Sequence, residues 1–286
     1  MRKMEASWNL ARQSLALLAS DRELILLPLT SALISMLTLA MLCGWYVAAY
    51  WPEIRALRPH SSAANLPHRG FLYVLLFLFY VIGYFVVTFC NVALVAVANN
   101  RMGGGSWRMH QGLELAWQRR FTILQWAILA ATVGMVLGMI SERVGVLGKL
   151  LTRLIGLAWG LATYFIVPVL AFDNLSPIEA VRRSAQLFRK TWGEDVVASV
   201  STALIFMIPF SFGLCPWFAA RNSESLSPVA LMAIGAVLLV YLHVVIAVMS
   251  ATTLIYKVAL YNYALGGRLH GGFSEEQFRS TWVPKS

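Results

Sequence analysis

His243 is the one histidine, acid or base that falls deep inside a long apolar run of this sequence. Burying an ionisable group in hydrocarbon is expensive, so such a residue is a functional hypothesis by default. On a helix, His243, Ser250 and Lys257 recur seven apart and share a face. That face reads either as a polar stripe leading to one membrane surface or as hydrogen bonding between packed helices. A neutral imidazole needs only one hydroxyl partner, and no carboxylate is available within the apolar runs, which favours the packing reading. A second polar face carries Phe77, Tyr80, Tyr84, Thr88 and Asn91 at steps of three and four. It would line a narrow path or a lipid-head cavity, or else tie helices together, as Tyr, Thr and Asn do across membrane interfaces. Tyr80, Tyr84, Asn91, His243 and Ser250 are therefore the candidate intramembrane polar path.

Basic side chains supply the other candidate chemistry. Ser176-Pro177-Ile178-Glu179 has the form of a capping box with proline at the first helical position, which predicts a helix start. Beyond it, Ile178, Val181, Ala185, Phe188 and Trp192 form one apolar stripe, with Arg182, Arg183, Arg189 and Lys190 around the rest. Such a helix rests in the membrane interface with basic groups among phosphates, or packs its stripe on the protein's own bundle. Arg182, Arg183, Arg189 and Lys190 are the candidate contacts to anionic lipid or to a partner.

Catalytic patterns are missing. Met102-Gly103-Gly104-Gly105-Ser106 lacks a following Lys-Ser/Thr and a preceding strand, so it reads as a flexible turn and not a phosphate loop. His60, His68, His110, His243 and His270 never reach metal-ligand spacing with Cys or acids. No carboxylate pair is placed for sheltered general acid–base work. The sequence therefore predicts no catalytic residues, no metal, no cofactor and a protein that is not an enzyme. Cys43, Cys90 and Cys215 all lie in apolar segments and read as buried small hydrophobes without disulfides.

The elements that must position these residues follow from composition. Of 286 residues 59% are hydrophobic and 13% charged, about half the charge of a soluble domain, so much of the surface faces something other than water. Six segments reach the roughly 20 apolar residues a spanning helix needs: 24–50, 71–98, 121–140, 154–172, 196–218 and 229–255. None contains Asp, Glu, Lys or Arg. Ser20-Asp21-Arg22-Glu23 and Ser227-Pro228 mark the starts of the first and sixth. Pro209, Gly213 and Pro216 make the fifth irregular, a feature tolerated where backbone is buried or lines a cavity. The first residues, Met1-Arg2-Lys3-Met4-Glu5, do not lead into a cleavable signal peptide.

Charge sets orientation. The stretches 1–23, 101–120, 173–195 and the C-terminal segment carry 16 of the 23 basic residues, and the opposite loops carry 7. The richer side belongs in the cytoplasm, with both termini there. The net charge of +10 is then a topology signal and an attraction to anionic headgroups; dispersed over loops, it argues against nucleic acid. The expected fold is a single all-α polytopic bundle, six spans as three hairpins, each preceded by a cytoplasmic amphipathic helix. Those helices are 8–18, 113–120 and 176–192, and 11–18 aligns with 181–188 through a shared Arg, Ser and Leu, consistent with a threefold repeat. Phe273-Ser274-Glu275-Glu276-Gln277-Phe278 predicts a further short cytoplasmic helix.

The stretch from Pro168 through Asp173-Asn174-Leu175-Ser176-Pro177-Ile178-Glu179-Ala180-Val181-Arg182-Arg183-Ser184 to Leu187 and Thr191-Trp192-Gly193-Glu194 resembles the hallmark of an uncharacterised family of prokaryotic six-span membrane proteins. More distantly it is similar to the membrane domain beside some glycerophosphodiester phosphodiesterases, which shares a proline-ended span, a short connector and a Glu-Ala-x-x-Arg-Ser helix. The resemblance implies architecture and a multi-pass place in the bacterial cytoplasmic (inner) membrane. It implies no reaction, because the phosphodiester chemistry belongs to a catalytic domain this chain lacks. The expected role is a structural or accessory one, through membrane lipids and a homo-oligomeric or membrane-protein partner; a passive channel or small-solute transporter is the alternative.

Overall fold

Ser227 and Pro228 begin the last long helix as their types dictate: the Ser227 hydroxyl accepts the Ala230 N–H at 3.2 Å, and Pro228 occupies a first-turn position whose N–H would be unpaired anyway. The computed structural model describes residues 23–52, 69–191, 207, 209–211 and 227–265. These form α1 (Glu23–Ala49), α2 (Arg69–Met102), α3 (Met109–Gln118), α4 (Arg120–Arg143), α5 (Val146–Ala162), α6 (Ile166–Phe172), α7 (177–191) and α8 (Pro228–Ala264). No strand occurs among the described residues. Five stretches are long and apolar enough to cross a membrane: Leu24–Ala49, Gly70–Met102, Arg120–Arg143, Leu147–Phe172 and Ala233–Ala264.

Most of the expected fifth span, the 8–18 segment, the Ser20–Arg22 start signal, Trp192 and the Phe273–Phe278 helix lie outside the described residues. Of the fifth span, the Pro209 carbonyl is described, and it accepts the Tyr241 hydroxyl of α8 at 2.7 Å.

The helices outrun the charge-free segments. α2 continues through Asn99, Asn100 and Arg101, and α8 through Lys257 to Ala264, because a polar side chain at a helix end does not break the backbone ladder. The fourth segment departs more. Expected as one span over 154–172, it begins at Val146, takes in Lys149 and Arg153, and breaks between Ala162 and Ile166. Pro168 accounts for the break: it lacks an N–H and its ring opposes the carbonyl four residues earlier, at Tyr164.

The Gly-rich turn closes with two backbone hydrogen bonds. Gly105 N–H bonds the Asn100 carbonyl at 2.9 Å and Gly104 N–H the Arg101 carbonyl at 3.0 Å, with Gly104 at φ +82°. This double closure caps α2, and its left-handed residue favours glycine. The Asn100 side chain then accepts the Trp107 N–H, and Arg101 Nε donates to the Trp107 carbonyl, which sets the entry to α3.

Packing is dense at one end of the bundle. Residues 92–98 of α2 are buried among Leu24 and Leu27 of α1, Ala116 of α3, Ile123 and Trp126 of α4, Val169 and Leu170 of α6, Leu187 of α7 and Ile255 of α8. Many of the buried residues are alanines (Ala93, Ala98, Ala116, Ala130, Ala180, Ala251), which let apolar helices approach closely without a hydrophobic drive between them. Gly112 makes the tightest approach: a Cβ there would sit 2.5 Å from the Ala93 carbonyl oxygen. Away from this end the helices expose large apolar side chains such as Leu37, Met41, Val74, Val136 and Val237. Trp45 near the end of α1 meets Phe71 near the start of α2, and Trp126 of α4 stacks on Trp159 of α5 at 5.9 Å.

Candidate functional site

The densely packed end holds a polar cluster built around the break in the fourth segment. Thr163 to Phe165 leave helical geometry, so the Phe165 N–H has no carbonyl four residues back to bond. The hydroxyl of Ser184, on α7, accepts it at 3.0 Å, and both residues are fully buried. An unmade bond at such a buried N–H costs on the order of 1–3 kcal/mol, so α7 is held in place by the needs of α6.

Asp173, directly after α6, forms the second tie. Tyr261 of α8 donates its phenolic O–H to Asp173 Oδ1 at 2.9 Å, and Arg183 Nε of α7 lies 3.7 Å from Asp173 Oδ2. Oδ2 is itself buried and accepts no hydrogen bond, so the guanidinium charge is what compensates it. The neighbouring Asn174 accepts from Arg119, at the α3–α4 corner. Asn262 of α8 donates to Asn99 of α2 at 2.6 Å. Lys257 stands 4.0 Å over the Tyr164 ring, a cation–π contact, and Tyr164 packs in turn on Phe165 and Phe188. Asn99 of α2, Arg119 at the α3–α4 corner, Asp173 after α6, Arg183 and Ser184 of α7 and Lys257, Tyr261 and Asn262 of α8 thus make the polar contacts at this end of the bundle.

α7 begins as its sequence requires. The Glu179 carboxylate accepts both the Ser176 hydroxyl, at 2.7 Å, and the Ser176 N–H, at 2.9 Å. The hydroxyl bond, then the N–H bond, hold the Glu179 carboxyl below the usual range, with Arg182 adding a smaller pull.

The buried face of α7 is not the stripe expected from Ile178, Val181, Ala185 and Phe188. Ala180, Ser184, Leu187 and Thr191 are the buried set, while Val181, Ala185 and Phe188 sit at its margin and Ile178 is 61% exposed. The small and hydroxyl-bearing residues go inward because the surface they meet contains an unpaired backbone N–H. The four basic candidates separate accordingly. Arg183 turns to Asp173, whereas Arg182, Arg189 and Lys190 are exposed.

The intramembrane candidates are not brought together. Tyr80 and Tyr84 are each 39% exposed, Asn91 and Ser250 are half-buried, and the half-buried His243 ring meets the Leu239 carbonyl of its own helix at 2.8 Å. No hydrogen bond among the described residues joins any two of these five. Nor do three or more His, Cys, Asp or Glu side chains there gather as a metal site would require.

Asp173, Ser184 and Tyr261 were not singled out by sequence reasoning. Asp173 and Ser184 stood inside the motif that carried the family resemblance, so their signal was present; Tyr261 offered none, being one more aromatic in an apolar helix. Chemically the cluster is a clamp: a carboxylate shared by a phenol and a guanidinium, without a nucleophile–base pair. In comparison with known proteins, the model of DUF6159, a family of unknown function, matches residues 70–273. No curated protein matches the chain.

Proposed function

We infer a function from the premise that the chain belongs to the DUF6159 family: the match runs from 70 to 273, 204 of its 286 residues. The reading is a non-enzymatic accessory protein of the bacterial cytoplasmic membrane, crossing it six times as three hairpins and working through lipid and partner-protein contacts at its cytoplasmic face. The observation that carries it is the orientation of α7. The Asp173–Arg183 pair and the Ser184–Phe165 bond fix the helix to the bundle end, and that leaves Arg182, Arg189 and Lys190 outward.

Exposed cations held at a membrane boundary attract anionic headgroups at about 1 kcal/mol per residue. The basic excess on the same side, 16 residues against 7, supports its placement in the cytoplasm. The likeness to the membrane domain beside glycerophosphodiester phosphodiesterases belongs to the same proposal, resting on the Pro168-to-Ser184 motif.

The channel alternative draws less support, since no hydrogen bond among the described residues joins Tyr80 or Tyr84, each 39% exposed, to Asn91, His243 or Ser250. Charge removal tests the reading: R182Q/R189Q/K190Q in the full chain, reconstituted in nanodiscs, should lower the preference for phosphatidylglycerol over phosphatidylcholine or lose a co-purified membrane partner. Retention of both, in a variant that still folds, would sink the accessory reading. Solute flux through liposomes carrying the wild-type protein would favour the channel.

A further inference from the structure

The α3–α4 corner carries a different arrangement from α7. Trp117 and Phe121 are 60% and 64% exposed, yet both rings lie close to one guanidinium. Arg120 Cζ stands 5.0 Å from the Trp117 ring centroid and 4.5 Å from that of Phe121. Its Nη1 also donates to the Trp117 carbonyl at 3.0 Å. No carboxylate among the described residues pairs with it.

Two large exposed aromatic rings, one in the last turn of α3 and one in the first turn of the apolar α4, are unexplained by packing among the described residues. At a membrane boundary they are at home, because amphipathic and aromatic rings favour the headgroup layer. Arg120 is the first residue of a helix long and apolar enough to cross a membrane, so the guanidinium falls at phosphate depth if that helix spans. A guanidinium presents five donors in a fork that matches phosphate oxygens. One donor is used on Trp117, which leaves most of the fork for an anion.

We propose that Trp117, Arg120 and Phe121 form a binding site for the phosphodiester of an anionic phospholipid, with the two rings lodged beside its glycerol and upper acyl carbons. The charge complementarity of a guanidinium that pairs with no carboxylate among the described residues, and the neighbouring aromatic rings, select that occupant over a protein acid, which would offer the carboxylate without the acyl chain. Arg119, the adjacent cation, is engaged by Asn174 and holds the corner against the polar cluster. The site rests on the reading that this end of the bundle meets headgroups, but it uses none of the α7 cations.

Native mass spectrometry of the full chain in mild detergent tests it, by titration with phosphatidylglycerol, phosphatidylcholine and inorganic phosphate in turn. Wild type should retain phosphatidylglycerol above phosphatidylcholine. R120Q should weaken phosphatidylglycerol retention by about tenfold, the size of one charge-assisted hydrogen bond, and weaken phosphatidylcholine, whose choline offsets the phosphate charge, by less. W117L/F121L, which keeps apolar bulk and removes the rings, should weaken it as well. Unchanged phosphatidylglycerol retention in R120Q would overturn the proposal. So would equal binding of inorganic phosphate with the same dependence on Arg120, because that assigns the guanidinium to free phosphate. If R120Q loses lipid while R182Q/R189Q/K190Q does not, the corner site stands and the α7 reading fails; the reverse result separates them the other way.

Discussion

Ser184 and Phe165 are 19 residues apart in sequence, and the hydroxyl of one caps the buried backbone N–H of the other at 3.0 Å. The bond joins a helix at the end of the bundle to a break inside an apolar segment. It converts a defect that Pro168 imposes into an attachment point for α7.

Replacing Ser184 by alanine should therefore cost more than a surface serine would. The buried Phe165 N–H loses its acceptor, a penalty of about 1–3 kcal/mol. Hydrogen exchange should quicken at 163–168 and along α7 while α1 stays protected; a rise confined to α7 would mean that the break does not depend on it.

The Asp173 clamp should divide unequally. Tyr261→Phe removes the hydrogen bond to Asp173 and is expected to destabilise by about 0.5–1.5 kcal/mol. The Asp173–Arg183 pair is roughly a third exposed, so solvent screening should keep its coupling under about 1 kcal/mol in a double-mutant cycle. A larger coupling would place the pair in a drier setting than its exposure indicates.

Gly112 should tolerate no side chain. A methyl group there meets the Ala93 carbonyl at 2.5 Å, backbone that cannot rotate aside, so Gly112→Ala must push α3 off α2. Overpacking of this kind costs about 1–3 kcal/mol. Thermal unfolding in detergent, compared with the exposed Gly138→Ala, provides the check: equal midpoints for the two variants would rule out the close approach.

Glu179 should make the start of α7 sensitive to acid. Its carboxyl is held low in the folded chain by the Ser176 hydroxyl and N–H, so the folded state binds the proton less readily than the unfolded one. The resulting stability is present above the ordinary glutamate range and fades as pH falls through it to the depressed folded value. Amide exchange at Ser176 and Ala180, corrected for intrinsic rates, should rise across that window in wild type. Glu179→Gln should flatten the response; an unchanged acid response would assign it to another group.

The legible part of the structure was the part governed by local rules. Ser176-Pro177-Ile178-Glu179 and Ser227-Pro228 announced helix starts because capping is settled within four residues. Apolar length announced six stretches, and five helices among the described residues are fit to cross a membrane, because transfer from water depends on composition, summed along one helix. The ends of those helices were less legible, since charge-free composition reports hydrocarbon preference and a helix continues past it through Asn99, Asn100 or Lys257.

The face of α7 that turns inward was illegible for a different reason. An apolar stripe scores each side chain by its own preference, and by that measure Ile178 and Phe188 outrank Ser184. What Ser184 meets is an unpaired N–H 19 residues earlier, and its need exists only once Pro168 has broken the helix and α7 has folded back. Asp173, Arg183 and Tyr261 are the same case, with 88 residues between the phenol and its carboxylate. The sequence by itself determined the helices and their apolar character, because those follow from neighbours within a turn or two. Only the tertiary structure decided which polar groups face each other, because a hydrogen bond depends on position in space, and distant segments acquire that position together.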